Sequence, residues 1–187
     1  MNILGVSGSP RSGGNTDILL DRMLSGARSR GAHAGKIVLN DLDFVPCQGC
    51  GGCDRTGVCV VRDDMTAVYK KIEKADVVIV ASPIFFCSIT AQLKAMIDRF
   101  QPYWIRKYIL KRSCPPQKKA GFFLSVAGSG RSEFFENASH IVKAFFATLD
   151  IVYSGSLFCP GLEKKDAVKK DKRLMVKAFK LGAKLVK

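Results

Sequence analysis

Residues 2–8, NILGVSG, form a short apolar run that ends in small residues. Residues 15–30 follow with Leu19, Leu20, Met23, Leu24 and Ala27 recurring at helical spacing. This pair predicts a strand, a loop and a helix. KIVLN at 36–40 reads as a second strand, and 63–75, DDMTAVYKKIEKA, as a helix with acids first and lysines last, the order the helix dipole favours. DVVIVASP at 76–83 is a continuous β-branched run without alternation, which predicts a strand covered on both faces of a parallel sheet. Segments 89–100, 120–128, 134–150 and 151–158 continue as helix, strand, helix and strand, and a lysine-rich terminal helix closes the series. Strands each followed by a helix predict an α/β sandwich, most simply a doubly wound parallel sheet. No internal repeat, linker or low-complexity tract interrupts it.

With 187 residues, 47% of them hydrophobic, the chain can bury one sizeable core, so residues 1–187 are expected to form a single domain with a cysteine-rich insertion at about 41–64. The opening MNILGVSGSP has neither a basic leader nor a long apolar core, and no run reaches the ~18 apolar residues of a membrane helix. The expectation is a cytoplasmic protein with no membrane partner, and in a reducing cytosol clustered cysteines point to metal or redox chemistry rather than staples.

The net charge of +14 comes from two stretches: 99–119, with seven Lys/Arg and no acid, and 163–187, with ten Lys/Arg against Glu163, Asp166 and Asp171. In the second, Leu174, Ala178, Leu181 and Leu185 share one helical stripe while Lys172, Lys177, Lys180 and Lys184 fall elsewhere, as on a solvated helix. Aromatic residues do not interleave these lysines, which argues against a nucleic-acid arm. An acidic protein partner is compatible with the same charge.

In doubly wound sheets, ligands bind at the carboxyl ends of strands where the winding reverses. The loop after the first strand, SGSPRSGGNT at 7–16, is rich in hydroxyls and glycines and precedes a helix N-terminus, an arrangement suited to an anion. Gly8 and Gly13 have the outer spacing of a nucleoside-triphosphate loop, but Gly14 stands where the lysine belongs, and the dinucleotide glycine pattern is absent. What remains suits a terminal phosphate monoester, although a plain Ser/Gly turn with a helix cap would account for its last two residues. After the third strand, SPIFFCSIT at 82–90 offers Ile84, Phe85 and Phe86 either as core or as apolar walls of a pocket. SVAGSGRS at 125–132 adds small residues and backbone donors. A phosphate and a planar heterocycle together describe FMN.

GSPRSGGNT followed by ADVVIVASPIFFCSITAQLKAMIDRF resembles the flavodoxin-like NAD(P)H-dependent FMN reductases, and the compact cysteine block with DDM after it resembles their iron-sulfur flavoprotein branch. The resemblance covers roughly residues 1–135. It implies a flavodoxin-like three-layer sandwich whose five-stranded parallel sheet has the order 2-1-3-4-5, with helices on both faces. It further implies non-covalent FMN, with phosphate on Ser7, Ser9, Arg11, Ser12, Asn15 and Thr16. The ring would lie against Pro83, Ile84, Phe85 and Phe86, with Ala127, Gly128 and Ser129 at its pyrimidine side. Many relatives have tyrosine where Phe85 stands. The branch also implies a homodimer or homotetramer, in which a cluster can lie nearer a neighbour's flavin. NAD(P)H or ferredoxin would be the electron donor, with a small-molecule acceptor.

Cys47, Cys50, Cys53 and Cys59 are separated by two, two and five residues, a spacing used to wrap iron-sulfur clusters. Structural zinc more often uses two pairs held apart. Glycines at 49, 51, 52 and 57 permit the turns that bring four short thiols together. With no second cysteine set to share, the four would hold one 4Fe-4S cluster, as the branch also implies. Zinc, a dithiol relay to the flavin and a vestigial motif stay open on spacing alone. Cys87 lies in the presumed ring loop, either near the flavin or as a small buried hydrophobe. Cys114 and Cys159 read as structural, and His33 and His140 as surface or helix residues. Tyr103 and Trp104 are either interface or core aromatics. Three functions follow in order: an FMN redox protein with an iron-sulfur centre, an NAD(P)H-dependent FMN or quinone reductase without a cluster, and, remotely, a basic nucleic-acid-binding module.

Overall fold

A computed structural model describes residues 1–112 and 119–186. Cys114 lies outside the described residues. Five strands, β1 (Asn2–Ser7), β2 (His33–Val38), β3 (Val77–Pro83), β4 (Lys119–Val126) and β5 (Ile151–Cys159), form one parallel sheet in the order β2-β1-β3-β4-β5. The order reverses between β1 and β3, which opens a crevice at their carboxyl ends.

Alternation along the central strands sorts side chains between two apolar layers. Ile3, Val77, Ile79, Ala81, Phe122 and Leu124 face α1 (Asn15–Arg28) and α7 (Lys172–Lys184), joined by the short α6 (Ala167–Lys170). Leu4, Val6, Val78, Val80 and Phe123 face α2 (Met65–Lys74), α3 (Ala91–Asp98) and α5 (Phe134–Thr148). Because β3 is central and covered on both sides, its residues Val77–Ser82 are all buried, as the unbroken apolar run predicts.

Three details depart from the sequence reading. The second strand begins earlier than 36–40, because parallel pairing from Asn2↔His33 to Ser7↔Val38 fixes its register, and Leu39–Asp41 turn into a 3-10 helix. The helix expected over 89–100 ends at Asp98; α4 (Gln101–Trp104), with Pro102 in its first turn, and a π-helical turn at Ile105–Ile109 continue it after a break at Arg99 and Phe100. In β5 the register against β4 shifts beside Gly121, and Ser154 bulges out.

The terminal stripe packs on α1 at very short range. A Cβ at Gly182 would stand 1.9 Å from the Met23 carbonyl oxygen, and one at Gly26 would stand 2.0 Å from that of Phe179. Only hydrogen fits at either position. Among the described residues, no helix is long and apolar enough to cross a membrane.

Candidate functional site

The β1–α1 loop sits over the crevice between β1 and β3. Its backbone is tied to β3 by Gly8 N–H donating to the Ala81 carbonyl at 2.7 Å. Thr90, fully buried, ties it to α3 as well: its Oγ1 donates to the Gly8 carbonyl at 2.6 Å and accepts from Leu93 N–H, so one hydroxyl both anchors the loop and caps the helix. Gly13 takes a left-handed φ of +63°, and its N–H donates to Asp17 Oδ2 at 3.1 Å. Asp17 is itself paired with Lys36 at 3.0 Å. The loop is thereby held in shape by protein contacts.

Gly14 caps α1 without any side-chain bond. The first-turn N–H groups of Asn15 and Thr16 have no carbonyl partner inside the helix, and they carry the positive end of its dipole. These two residues, with Ser9 and Arg11, line a cleft of about 200 Å³ whose far wall is Pro83, Ile84 and Phe85. Gly128 and Val126 line it from the end of β4.

A segment from the opposite end of the chain closes the cleft. Asn15 Nδ2 donates to the carbonyls of Leu162 (3.1 Å) and Lys164 (2.8 Å), while its Oδ1 accepts from Val168 N–H (3.3 Å). Leu162 N–H donates to the Ala127 carbonyl at 2.9 Å, and Gly161 N–H to that of Ser129 at 3.0 Å. Held this way, Glu163 and Lys165 line the cleft. Neither the Arg11 guanidinium nor the Lys165 ammonium has a hydrogen-bond or ion-pair partner among the described residues. Two cations without ion pairs against the single Glu163 carboxylate, with a helix N-terminus beside them, leave a net positive cleft that suits a phosphate.

The loop after β3 turns back sharply. Phe85 and Ser88 exchange backbone hydrogen bonds of 2.9 and 3.1 Å, with Phe86 (φ +46°) and Cys87 (φ +60°) at the turn, a geometry that glycine and asparagine usually occupy. Phe85, 44% exposed, lines the cleft, and the adjacent Phe86 is fully exposed, so neither ring is core. Asn137 Nδ2 donates to the Cys87 carbonyl at 3.1 Å and steadies the turn from α5.

The cysteine-rich stretch runs between the 3-10 turn and α2. Cys47, Cys50, Cys53 and Cys59 all line one cavity of about 690 Å³, whose other wall mixes apolar Ile97, Phe100, Pro102, Ile141, Ala144 and Phe145 with polar Asp98, Arg99, Gln101 and Thr148. Cys47 and Cys50 are exposed, and Cys53 and Cys59 half-buried. Burial, then Asp54, and last the Cys47 and Cys59 thiols push the Cys53 thiol pKa up. Among the described residues no three potential ligands stand in metal-coordinating arrangement. Gly57, at φ +69°, passes so close to Arg106 that a Cβ would lie 2.3 Å from its Cγ, and Arg106 Nε donates to the Gly57 carbonyl at 2.6 Å.

Beneath this stretch lies Arg99, 2% exposed. Its Nη1 donates to the Val45 carbonyl (2.7 Å) and Asp63 Oδ2 (2.5 Å), and its Nη2 to Asp63 Oδ1 (3.0 Å) and Cys59 Sγ (3.6 Å). Tyr69 hydroxyl donates to the Arg99 carbonyl at 2.7 Å, and burial pushes that phenol up to about 12.

Residues 1–158 match the family model of the NADPH-dependent FMN reductases. An iron-sulfur flavoprotein of Archaeoglobus fulgidus is 32% identical over 175 residues, 93% of this chain and 77% of the relative. The chain belongs to this family, in its iron-sulfur flavoprotein branch. An iron-sulfur flavoprotein of Methanosarcina thermophila is 37% identical over 129 residues, covering 69% of this chain and 64% of the relative. Among solved structures, a flavone reductase superposes with a TM-score of 0.74 at 24% identity, over 99% of this chain and 62% of that one.

In this family member, Ser9, Arg11, Asn15, Thr16, Pro83, Ile84, Phe85 and Gly128 of the predicted flavin residues line the cleft. Ser7, at the end of β1, is fully buried, with an Oγ that has no partner among the described residues. Ser12 and Ser129 are exposed at its edges, Ala127 is buried beside it, and Phe86 points to solvent. Sequence reasoning missed Thr90, Lys165 and Arg99. Thr90 sits at the start of a predicted helix, where a cap is expected; Arg99 stands beside Asp98 at the head of the basic stretch 99–119, where nothing marks it as buried; Lys165 is one of many lysines and carries no local signal. His33 and His140 are exposed and Cys159 is buried, as expected, whereas Cys87 is exposed rather than core. Tyr103 is core, donating to Glu73, while Trp104 is 40% exposed and packs against Tyr108.

Proposed function

We propose that the protein is an FMN-containing oxidoreductase that passes electrons between FMN and a 4Fe-4S cluster on Cys47, Cys50, Cys53 and Cys59. The observation that carries the flavin half is the cleft at the first βα junction, where an uncapped helix start and the unpaired cations Arg11 and Lys165 face an apolar wall. The buried, partnerless Ser7 hydroxyl beneath the loop fits a site completed by a polar ligand. For the cluster, support comes from four thiols on one cavity, the ligand spacing and the branch to which the chain belongs.

When bound, FMN supplies exchange of an electron pair with a hydride donor, and the cluster exchange of single electrons. The chain's own part is placement. Ser9, Arg11 and the first-turn N–H groups of α1 hold the phosphate, and Pro83, Ile84 and Phe85 shield one side of the ring from water. Gly128, at the cleft, and Ser129, just past the end of β4, are small enough that their backbone N–H groups would be free to donate to the polar edge of a bound ring.

Among the described residues none lines both the flavin cleft and the cysteine cavity, and the cavity reaches Thr148 at the carboxyl end of α5. That separation favours transfer between subunits of a homodimer or homotetramer. The exposed Trp104, Tyr108, Phe85 and Phe86 provide aromatic surface for such contacts. NAD(P)H or a ferredoxin is the proposed donor and a small molecule the acceptor, with the cytoplasm as the place of work.

Anaerobic purification tests the reading. Flavin absorption with a broad brown shoulder, one FMN per chain, and four irons with four acid-labile sulfides are expected. Yellow protein without iron would favour the cluster-free quinone reductase, and colourless protein that refuses FMN would overturn both.

A further inference from the structure

We propose that Arg99 is a positioning residue for the Cys59 sulfur, fixing its place and biasing the centre it binds toward the reduced state. The inference rests on the cluster reading of the four cysteines.

A guanidinium that is 2% exposed is costly to bury unless its charge is used. Two of its nitrogens are occupied, and Nε has no partner. The Asp63 carboxylate receives both Nη1 and Nη2, a bidentate fork that fixes the plane of the group. Two other bonds then point at the cysteine-rich stretch. Nη1 holds the Val45 carbonyl at 2.7 Å, two residues before Cys47, and Nη2 faces Cys59 Sγ at 3.6 Å. Arg99 therefore holds both the entry and the exit of the four-cysteine segment, from a backbone that is itself pinned by the Tyr69 hydroxyl. Lysine would not replace it, since a single ammonium cannot keep the fork and also reach the carbonyl and the sulfur.

The electrostatic consequence has a fixed sign. A fixed positive charge donating to a ligand sulfur favours the state with more negative charge there, and uptake of one electron without a proton adds one such charge. Hydrogen bonds to ligand sulfurs are among the determinants of iron-sulfur potentials. Arg99 thus raises the midpoint potential and slows loss of iron at Cys59.

The test is a dithionite titration of anaerobically purified holoprotein, followed by electron paramagnetic resonance, for wild type, Arg99→Lys and Arg99→Gln. Arg99→Gln is expected to shift the reduction equilibrium about tenfold toward the oxidised form, or ~59 mV to more negative potential for one electron. Arg99→Lys should fall between it and wild type, and both should lose iron to a chelator several-fold faster. FMN affinity, read by fluorescence quenching, reports on folding, because the cleft and the cysteine cavity share no residue. Should both Arg99 variants lose FMN, Asp63→Asn takes their place: it keeps the arginine but removes the negative charge that offsets it, and should shift the potential the opposite way, to a more positive value. Iron-loaded variants with an unchanged midpoint potential would overturn the role of Arg99 alone. Wild-type protein that binds FMN but no iron would overturn the cluster reading, and this proposal with it.

Discussion

Asn15 Nδ2 donates to the Lys164 carbonyl at 2.8 Å, a bond across 149 residues that joins the start of α1 to the segment closing the cleft at the first βα junction. With the bonds to Leu162 and Val168, the Asn15 amide is fully occupied by protein. Toward the cleft it offers its backbone N–H, and its side chain acts as a clasp. Asn15→Ala should therefore release residues 162–168 and remove two part-buried hydrogen bonds, at about 0.5–1.5 kcal/mol each. FMN affinity, measured by fluorescence quenching, should fall at least several-fold. Asn15→Asp should be worse, because it loses both donors and brings a negative charge to the phosphate. An aspartate variant that binds FMN like wild type would refute the clasp.

Among the described residues Lys165 has no partner of its own, and it lines the cleft, in which no lysine of the first loop takes part because Gly14 holds the motif's lysine position. Its contribution should depend on the phosphate. In Lys165→Ala, FMN binding should weaken about fivefold to tenfold while riboflavin binding stays the same, so discrimination between the two ligands shrinks. Raising salt should weaken FMN binding less in the variant than in wild type. Equal losses for FMN and riboflavin would place Lys165 away from the phosphate.

Which parts of this could be read in the sequence follows from how local each signal is. The apolar run at 76–83 is a central strand because burial on both faces leaves no polar alternation, and the hydroxyl-rich turn at 7–16 marks a helix start that must find an anion or a cap. The cysteine spacing is equally local. The partners of those segments are not. Asn15 finds Lys164 and Cys59 finds Arg99 only once the sheet has ordered its strands, and neither pairing leaves a mark on neighbouring residues. The strand at 33–38 was displaced from its apolar centre for the same reason: its register is set by β1, not by its own hydrophobicity.

The contact between α1 and α7 should be among the least tolerant of added volume. A Cβ at Gly182 would overlap the Met23 carbonyl, and backbone cannot rotate out of the way as a side chain can. Gly182→Ala should force the helices apart and cost about 1–3 kcal/mol or more, despite alanine's better helix propensity. Thermal or urea unfolding measures it. Gly35→Ala is the control, since a Cβ there meets nothing within 4 Å. Equal stability of the two variants would mean the helices do not pack this closely.

Asp63 gives the cysteine segment a defined acid sensitivity. Burial alone would raise its carboxyl, but the hydrogen bonds and charge of Arg99, with backbone N–H groups of Met65 and Val45, outweigh burial and hold it below the usual carboxylate range. A depressed folded-state pKa means that the stabilisation is complete above the unfolded value of about 3.9 and is lost as pH falls through the folded one. Removing the carboxylate with Asp63→Asn leaves Arg99 buried without a counter-charge, at about 3 kcal/mol. The stability gap between wild type and Asp63→Asn, from urea unfolding, should thus be constant from pH 7 to pH 5 and narrow below about pH 4. A gap that instead widens on acidification would mean that Asp63 binds its proton more tightly in the folded protein, and that the Arg99 fork does not form in solution.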